Sequence, residues 1–258
     1  MLPQTLAVAA VATLIYMTMW FVLSLIYKRA DVADIAWGPG FAVASWAALY
    51  TSGNTSFTAK VACLLVLIWG LRLSLHIASR NIKKPEDYRY QAMRERWGRL
   101  FPLRSYLQIF LTQGLLLFII VIPVLITISY ANRDSHPLLY AGIVIWLVGF
   151  LFESIGDLQL KRFIQNPANK GHVIQTGLWQ YSRHPNYFGE LTQWWALGII
   201  ALSVRYGWVG LVGPAVLTFL IVKVSGIPLL EKRQADKPGW QAYAQRTSIL
   251  IPLPPRKS

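Results

Sequence analysis

A chain of 258 residues that is 55% hydrophobic and only 14% charged, with a mean hydropathy of +0.42, has too little polar surface for a soluble enzyme of that length. Its net charge of +14 would suit nucleic acid, but the basic residues cluster between apolar runs, as in the inside loops of a membrane protein, so no nucleic-acid partner is expected. The single cysteine, Cys63, sits in an apolar run and excludes a disulfide framework or a cysteine metal site.

Apolar windows predict spans at about Thr5–Tyr27, Ile35–Tyr50, Ala59–Ala78, Tyr106–Tyr130, Leu138–Leu160, Tyr187–Ser203 and Trp208–Val224. The expected fold is all-α: an integral membrane protein of about seven transmembrane helices, one domain over residues 1–258, enclosing a cofactor and substrate cavity. The first run has no basic residue before it and no cleavage site after a short core, so it reads as a retained span. The second and sixth are short and carry Gly and Pro, and a re-entrant segment is the alternative for the second.

Loop charge sets the expected orientation. Arg80–Arg104 holds eight Lys/Arg against three acids, Lys161–Arg183 four against none, and the tail from Lys223 seven against two. The intervening loops Thr51–Ser56 and Ser129–Pro137 are nearly neutral, which puts the basic loops and the C-terminus in the cytoplasm and the N-terminus on the other side. A monomer with its cofactor side in the cytoplasm is the expectation. After the last span, PLLEKRQADKPGWQAYAQRTSILIPLPP reads as an amphipathic segment on the anionic leaflet, from which Glu231 and Tyr243 can still reach a site beneath it.

Ionisable groups inside spans are costly and face a partner or a cavity. Three clusters meet that description: Asp31 and Asp34 with Trp37, Gly38 and Pro39 in DVADIAWGPGF; Arg72, His76 and Arg80, four apart on one helix face in WGLRLSLHIASR; and Glu153, Asp157 and Lys161, again four apart. Simpler roles stand beside these: Asp34 as a helix cap, Arg72 as its ion-pair partner or that of Glu153, Arg80 and Lys161 as interface anchors. The densest polar stretch is GHVIQTGLWQYSRHPNYFGELTQWW, from Gly171 to Trp195, where Arg183, His184, Asn186, Tyr187 and Glu190 run directly into an apolar span. We read this turn as the holder of the phosphate and ribose end of a nucleotide, with Arg80, Lys161 and Arg183 supplying charge-assisted hydrogen bonds. His76, His136, His172 and His184 show no metal-ligand spacing, and neither a GxSxG context nor a dinucleotide glycine fingerprint occurs.

The segment GLWQYSRHPNYFGE, after an acidic fifth span and before an aromatic sixth, resembles the C-terminal half of the steroid 5α-reductase family. DVADIAWGPGF and PEDYRYQAMRERWG look like a bacterial branch of it, so the similarity covers nearly the whole chain. The turn RHPxYxGE is shared with membrane sterol reductases and isoprenylcysteine-type methyltransferases. The resemblance implies seven helices, NADPH, and reduction of the carbon–carbon double bond of a lipophilic enone such as a 3-oxo-Δ4 steroid entering from the membrane lipids. It places Asp157, Asn186 and Glu190 at the family's cofactor-binding Asp, Asn and Glu. Glu153 stands where the steroid enzymes have Asn, Lys161 and His172 where they have Arg, and Glu231 where they have a cofactor-contacting Tyr. The family's Tyr near the substrate carbonyl aligns approximately with Trp69, and the Glu that accompanies it with Asp34, which makes these two the catalytic candidates. An S-adenosylmethionine-dependent methyltransferase and a non-enzymatic lipid transporter are the alternatives.

Overall fold

The computed structural model describes residues 1–82, 84–132 and 135–256. Lys83, Arg133, Asp134, Lys257 and Ser258, which fall in the loops and tail counted above, lie outside the described residues. Among the described residues the structure is helical throughout, its one β feature being an isolated parallel bridge between Ser182 and Ser248. Two compact units form, residues 1–139 with 200–213 and residues 140–199 with 214–258.

The first unit is built on α1 (Leu2–Ile26), α2 (Val32–Ser52) and α3 (Phe57–Asn81). Burial along α1 follows Thr5, Ala9, Thr13 and Met17, at spacings of four, while Val11, Leu14, Ile15 and Met19 are exposed. Small and polar residues thus face the neighbouring helices and apolar ones face outward, the inverse of a soluble helix and the pattern of helices packed in lipid. Expected as short or re-entrant, α2 is one helix of 21 residues with Pro39 inside it. Proline removes the N–H that would bind the carbonyl four residues earlier. Here that carbonyl, Ile35 O, accepts from Ser74 Oγ at 2.9 Å, and the next, Ala36 O, accepts from Tyr16 Oη at 2.9 Å. Neighbouring helices therefore satisfy the backbone that the proline frees, as a bilayer interior demands. Gly38 and Gly70 bring α2 and α3 into backbone contact: a Cβ on Gly38 would lie 2.4 Å from Gly70 O.

The fourth expected span differs from its sequence window. A continuous helical run from Tyr88 to Ile120 begins with α4 (Tyr88–Trp97) and passes through α5 (Phe101–Ser105) and a π-helical stretch, Tyr106–Leu111, into α6 (Thr112–Ile120). It breaks at Val121, and α7 (Ile122–Tyr130) restarts with Pro123 in its first turn. Asn54 Nδ2 caps the far end of α7, donating to Ile128 O at 2.7 Å and Ala131 O at 2.8 Å.

The second unit contains most of α8 (Pro137–Gln165), nearly all of α9 (Pro185–Ala201), the end of α10 (Val212–Phe219), and α11 (Ile227–Gln234) and α12 (Trp240–Arg246). Among the described residues, six helical stretches are long and apolar enough to cross a membrane. Helix α9, the sixth of the expected spans, has 17 residues, about 25 Å at 1.5 Å per residue and the short end of what a bilayer core needs. Helices α8 and α9 approach at Gly149 and Gly189, where a Cβ on Gly189 would lie 2.4 Å from Glu153 N and 2.5 Å from Gly149 O.

Helix α3 is bounded by Thr55, in the near-neutral loop, and Lys84, in the basic one, both exposed. Because Cys63 is fully buried, cysteines introduced at positions 55 and 84 report separately on membrane-impermeant labelling. We expect position 84 to label only from the cytoplasmic side and position 55 only from the opposite side.

Candidate active site

In the second unit the α8–α9 glycine contact sets two carboxylates against two amides. Glu153 and Asp157, one turn apart on α8, are 3% and 7% exposed. From α9, Gln193 Nε2 donates to Glu153 Oε2 at 2.6 Å and Asn186 Nδ2 donates to Asp157 Oδ1 at 3.1 Å. Glu190, also buried, lies between the two amides in sequence, and the spacing Asn186, Glu190, Gln193 keeps all three on one face of α9. Each amide turns its nitrogen toward α8, and Gln193 Nε2 also reaches Gly189 O at 3.3 Å. The consequence is that Asn186 Oδ1 and Gln193 Oε1 are both buried without a hydrogen-bond partner. A buried acceptor left unpaired costs about 1–3 kcal/mol. Lys161, one further turn along α8, is exposed, and the stripe runs from acidic inside the span to basic at its end.

The turn before α9 is held by the C-terminal segment, which the sequence pattern assigned to the membrane surface. Arg183 forms a two-point ion pair with Glu231, Nε to Oε1 at 3.1 Å and Nη2 to Oε2 at 2.8 Å. Its Nη1 donates to Ala244 O and Thr247 O at 2.6 and 3.0 Å, and its backbone N–H to Ser248 O at 2.8 Å. His184 Nε2 lies 2.8 Å from Glu231 Oε1, and the His184 ring stacks on Tyr187. Tyr243, 2% exposed, donates to Trp179 O at 2.6 Å. Burial pushes its hydroxyl well above the ordinary tyrosine range, which keeps it a neutral donor. Arg183 and Glu231, both expected to hold cofactor, thus neutralise each other and tie the turn to the tail. Beside them a cavity of about 130 Å³ is walled by Trp179, Trp240 and Tyr243 and edged by His172, Arg183 and Lys237.

The other site candidates lie in the first unit. Asp34 does not cap α2, whose first residue follows Asp31; its carboxylate accepts from Tyr90 Oη at 2.6 Å and from Arg89 Nη2 at 3.0 Å. Around it Asp31 takes two hydrogen bonds from Arg29 and one from Asp87 N, while Glu86 accepts from Ala30 N and Arg94. Burial acts to raise the Asp87 carboxyl, but its hydrogen bonds from Arg89 outweigh this and hold it below the usual carboxylate range. DVADIAWGPGF and PEDYRYQAMRERWG therefore clasp one another through these charges. Trp69 is 2% exposed and packs edge-on against Phe41 with ring centroids 5.3 Å apart. Arg72 and His76 are half-buried on α3, and Arg80 at its end is exposed, with Nε donating to Asn81 Oδ1.

Sequence reasoning missed Gln193 and Tyr90. For Gln193 a signal existed, because it lies seven residues after Asn186 and therefore on the same face. For Tyr90 there was none, since 56 residues separate it from Asp34.

Fold and site together define an all-helical integral membrane protein with a buried carboxylate–amide row between α8 and α9. Residues 20–247 match the family described as "Protein of unknown function (DUF1295)", and the chain belongs to this steroid 5α-reductase-like family. It is 32% identical over 72 residues to 3-oxo-5-alpha-steroid 4-dehydrogenase 1 of Mus musculus, a match covering 28% of each chain. To the probable O-methyltransferase ustE of Ustilaginoidea virens it is 40% identical over 53 residues, 20% of this chain and 19% of that one. An uncharacterised Schizosaccharomyces pombe protein, C594.04c, is 24% identical over 225 residues, covering 74% of this chain and 62% of that one. The match to the mouse steroid dehydrogenase thus spans little more than a quarter of that protein's length. No solved structure matches. Among the described residues no group of three or more His, Cys, Asp or Glu is placed to hold a metal ion.

The Arg183–Glu231 pair is largely buried, with side chains 11% and 22% exposed. Removing one partner of such a pair leaves an uncompensated charge, at a cost of about 3 kcal/mol. Glu231→Ala is expected to lower the thermal unfolding temperature of the detergent-solubilised protein markedly and Glu231→Gln to lower it less, as read by loss of helical circular dichroism.

Proposed function

We propose that this protein is an NADPH-dependent membrane reductase acting on the carbon–carbon double bond of an enone lipid such as a 3-oxo-Δ4 steroid. The observation that carries this reading is the buried row of Glu153, Asp157, Asn186, Glu190 and Gln193 with its two unpaired carbonyls. Such a row calls for a ligand end that bears donors, and the carboxamide and ribose hydroxyls of a nicotinamide nucleoside are donors. Lys161 follows on the same stripe, and His172 and Lys237 edge the neighbouring cavity, so cationic side chains are available where the row ends. The residues present thus suit a cofactor with one donor-bearing and one anionic end. When bound, that cofactor supplies the hydride. The chain holds it by hydrogen bonds and keeps the reacting centre away from water.

A methyltransferase is the second reading. It is supported by the similarity to the ustE O-methyltransferase and by the carboxylates of the row, which would also accept an ammonium group. Titration of the purified protein with NADPH, NADH and S-adenosylmethionine, followed by quenching of its eleven tryptophans, separates the two. NADPH is expected to bind more tightly than NADH, because the extra phosphate needs cations such as His172 and Lys237 at the edge of the cavity, and more tightly than S-adenosylmethionine. Asn186→Ala and Glu190→Ala are expected to abolish NADPH binding while leaving the protein monodisperse. Unchanged affinity in both would reduce the RHPNYFGE turn to a helix cap worth about 1 kcal/mol.

A further inference from the structure

The row on α9 contains a residue to which neither the sequence motif nor the family resemblance gives a role. Gln193 is 1% exposed, and its nitrogen is held by Glu153 Oε2 at 2.6 Å and by Gly189 O at 3.3 Å. These bonds fix which end of the amide is which, because neither a carboxylate nor a carbonyl can donate. Its oxygen is left buried and without a partner. The same arrangement recurs two turns earlier, where Asn186 gives its nitrogen to Asp157 and leaves its oxygen unpaired. A single unpaired carbonyl is an irregularity of packing; two on one helix face, each oriented by its own carboxylate from α8, form a pattern. The close approach at Gly149 and Gly189 fixes the inner pair, since a Cβ on either glycine would collide with the facing backbone.

We propose that Gln193 Oε1 is the specificity-determining acceptor for the carboxamide N–H of the nicotinamide ring, with Glu153 as the positioning residue that holds the amide in that orientation. The proposal rests on the nicotinamide reading above and goes beyond it by assigning one atom of the protein to one atom of the ligand. Glu153 acts through Gln193: its carboxyl oxygen, with Gly189 O, holds the nitrogen turned away and leaves the amide oxygen in place. An acceptor held in this way selects ligands carrying an N–H at that position and penalises those that present a methyl group there, because the oxygen then stays buried and unpaired.

The test compares NADPH with its 3-acetylpyridine analogue, in which a methyl ketone replaces the carboxamide and removes the N–H donors. Affinities are read from tryptophan quenching, without turnover. The wild-type protein is expected to bind NADPH about tenfold more tightly than the analogue, the size of one hydrogen bond whose loss leaves a buried group unpaired. Gln193→Met, which keeps the side-chain length but has no carbonyl, is expected to bind both ligands alike. A residue that merely packs α9 against α8 would weaken both ligands equally and leave their ratio unchanged. Equal wild-type affinities overturn the proposal whatever the variants do. A wild-type preference that persists in Gln193→Met overturns the role of Gln193 and leaves the nicotinamide reading standing. Binding of S-adenosylmethionine with no binding of either dinucleotide overturns both.

Discussion

The constraint on which the second unit depends is the approach of α8 to α9 at Gly149 and Gly189. Without side chains there, Glu153 and Asp157 come within hydrogen-bond reach of Gln193 and Asn186. In a water-filled cleft, carboxylates one turn apart would be ordinary. Inside helices that cross a bilayer no water is available to solvate them, so each must be satisfied by protein or ligand. The α9 amides answer the α8 carboxylates with their nitrogens, and in doing so leave their own carbonyls unanswered. The chemical character of the site, rich in acceptors and short of donors, follows from that contact.

A second consequence concerns where positive charge is available. Counting basic residues in the loops makes Arg183 look like a phosphate ligand, yet its guanidinium is bound by Glu231 and by two carbonyls of the C-terminal segment. The tail is a brace for the turn that opens α9: Tyr243 reaches Trp179, Ser182 reaches Leu250, and Leu253 N–H reaches Tyr181 O. Lys161, His172 and Lys237 are among the basic groups of this unit that could meet an anionic ligand in place of Arg183.

The first unit solves a different problem with the same economy of polar groups. Pro39 removes one hydrogen bond of α2, and Ser74 takes the carbonyl it frees while Tyr16 binds the next. At the start of α2 the acids of DVAD are met by Arg29, Arg89 and Tyr90, and Glu86 by Arg94, so that the loop after α3 is fastened to the start of α2. Two sequence motifs that look unrelated are two halves of one charge network.

By itself the sequence determined that the chain is a bundle of membrane helices and where most of them lie, because apolar runs of bilayer length have no other stable use. It also determined which faces carry polar groups, since a spacing of four puts Glu153, Asp157 and Lys161, or Asn186 and Glu190, on one stripe whatever the rest of the fold does. Periodicity misjudged the fourth span, where the break at Val121 ahead of Pro123 and a π-helical stretch divide what hydropathy reads as a single window. Only the tertiary structure decided which polar group meets which. The pairing of Asp34 with Tyr90 spans 56 residues and that of Arg183 with Glu231 spans 48, and no local pattern encodes a partner at such separations. Which acceptors stay unpaired was likewise invisible: an amide of Asn186 or Gln193 has two ends, and the one left over is known only once the position of the facing carboxylate is known.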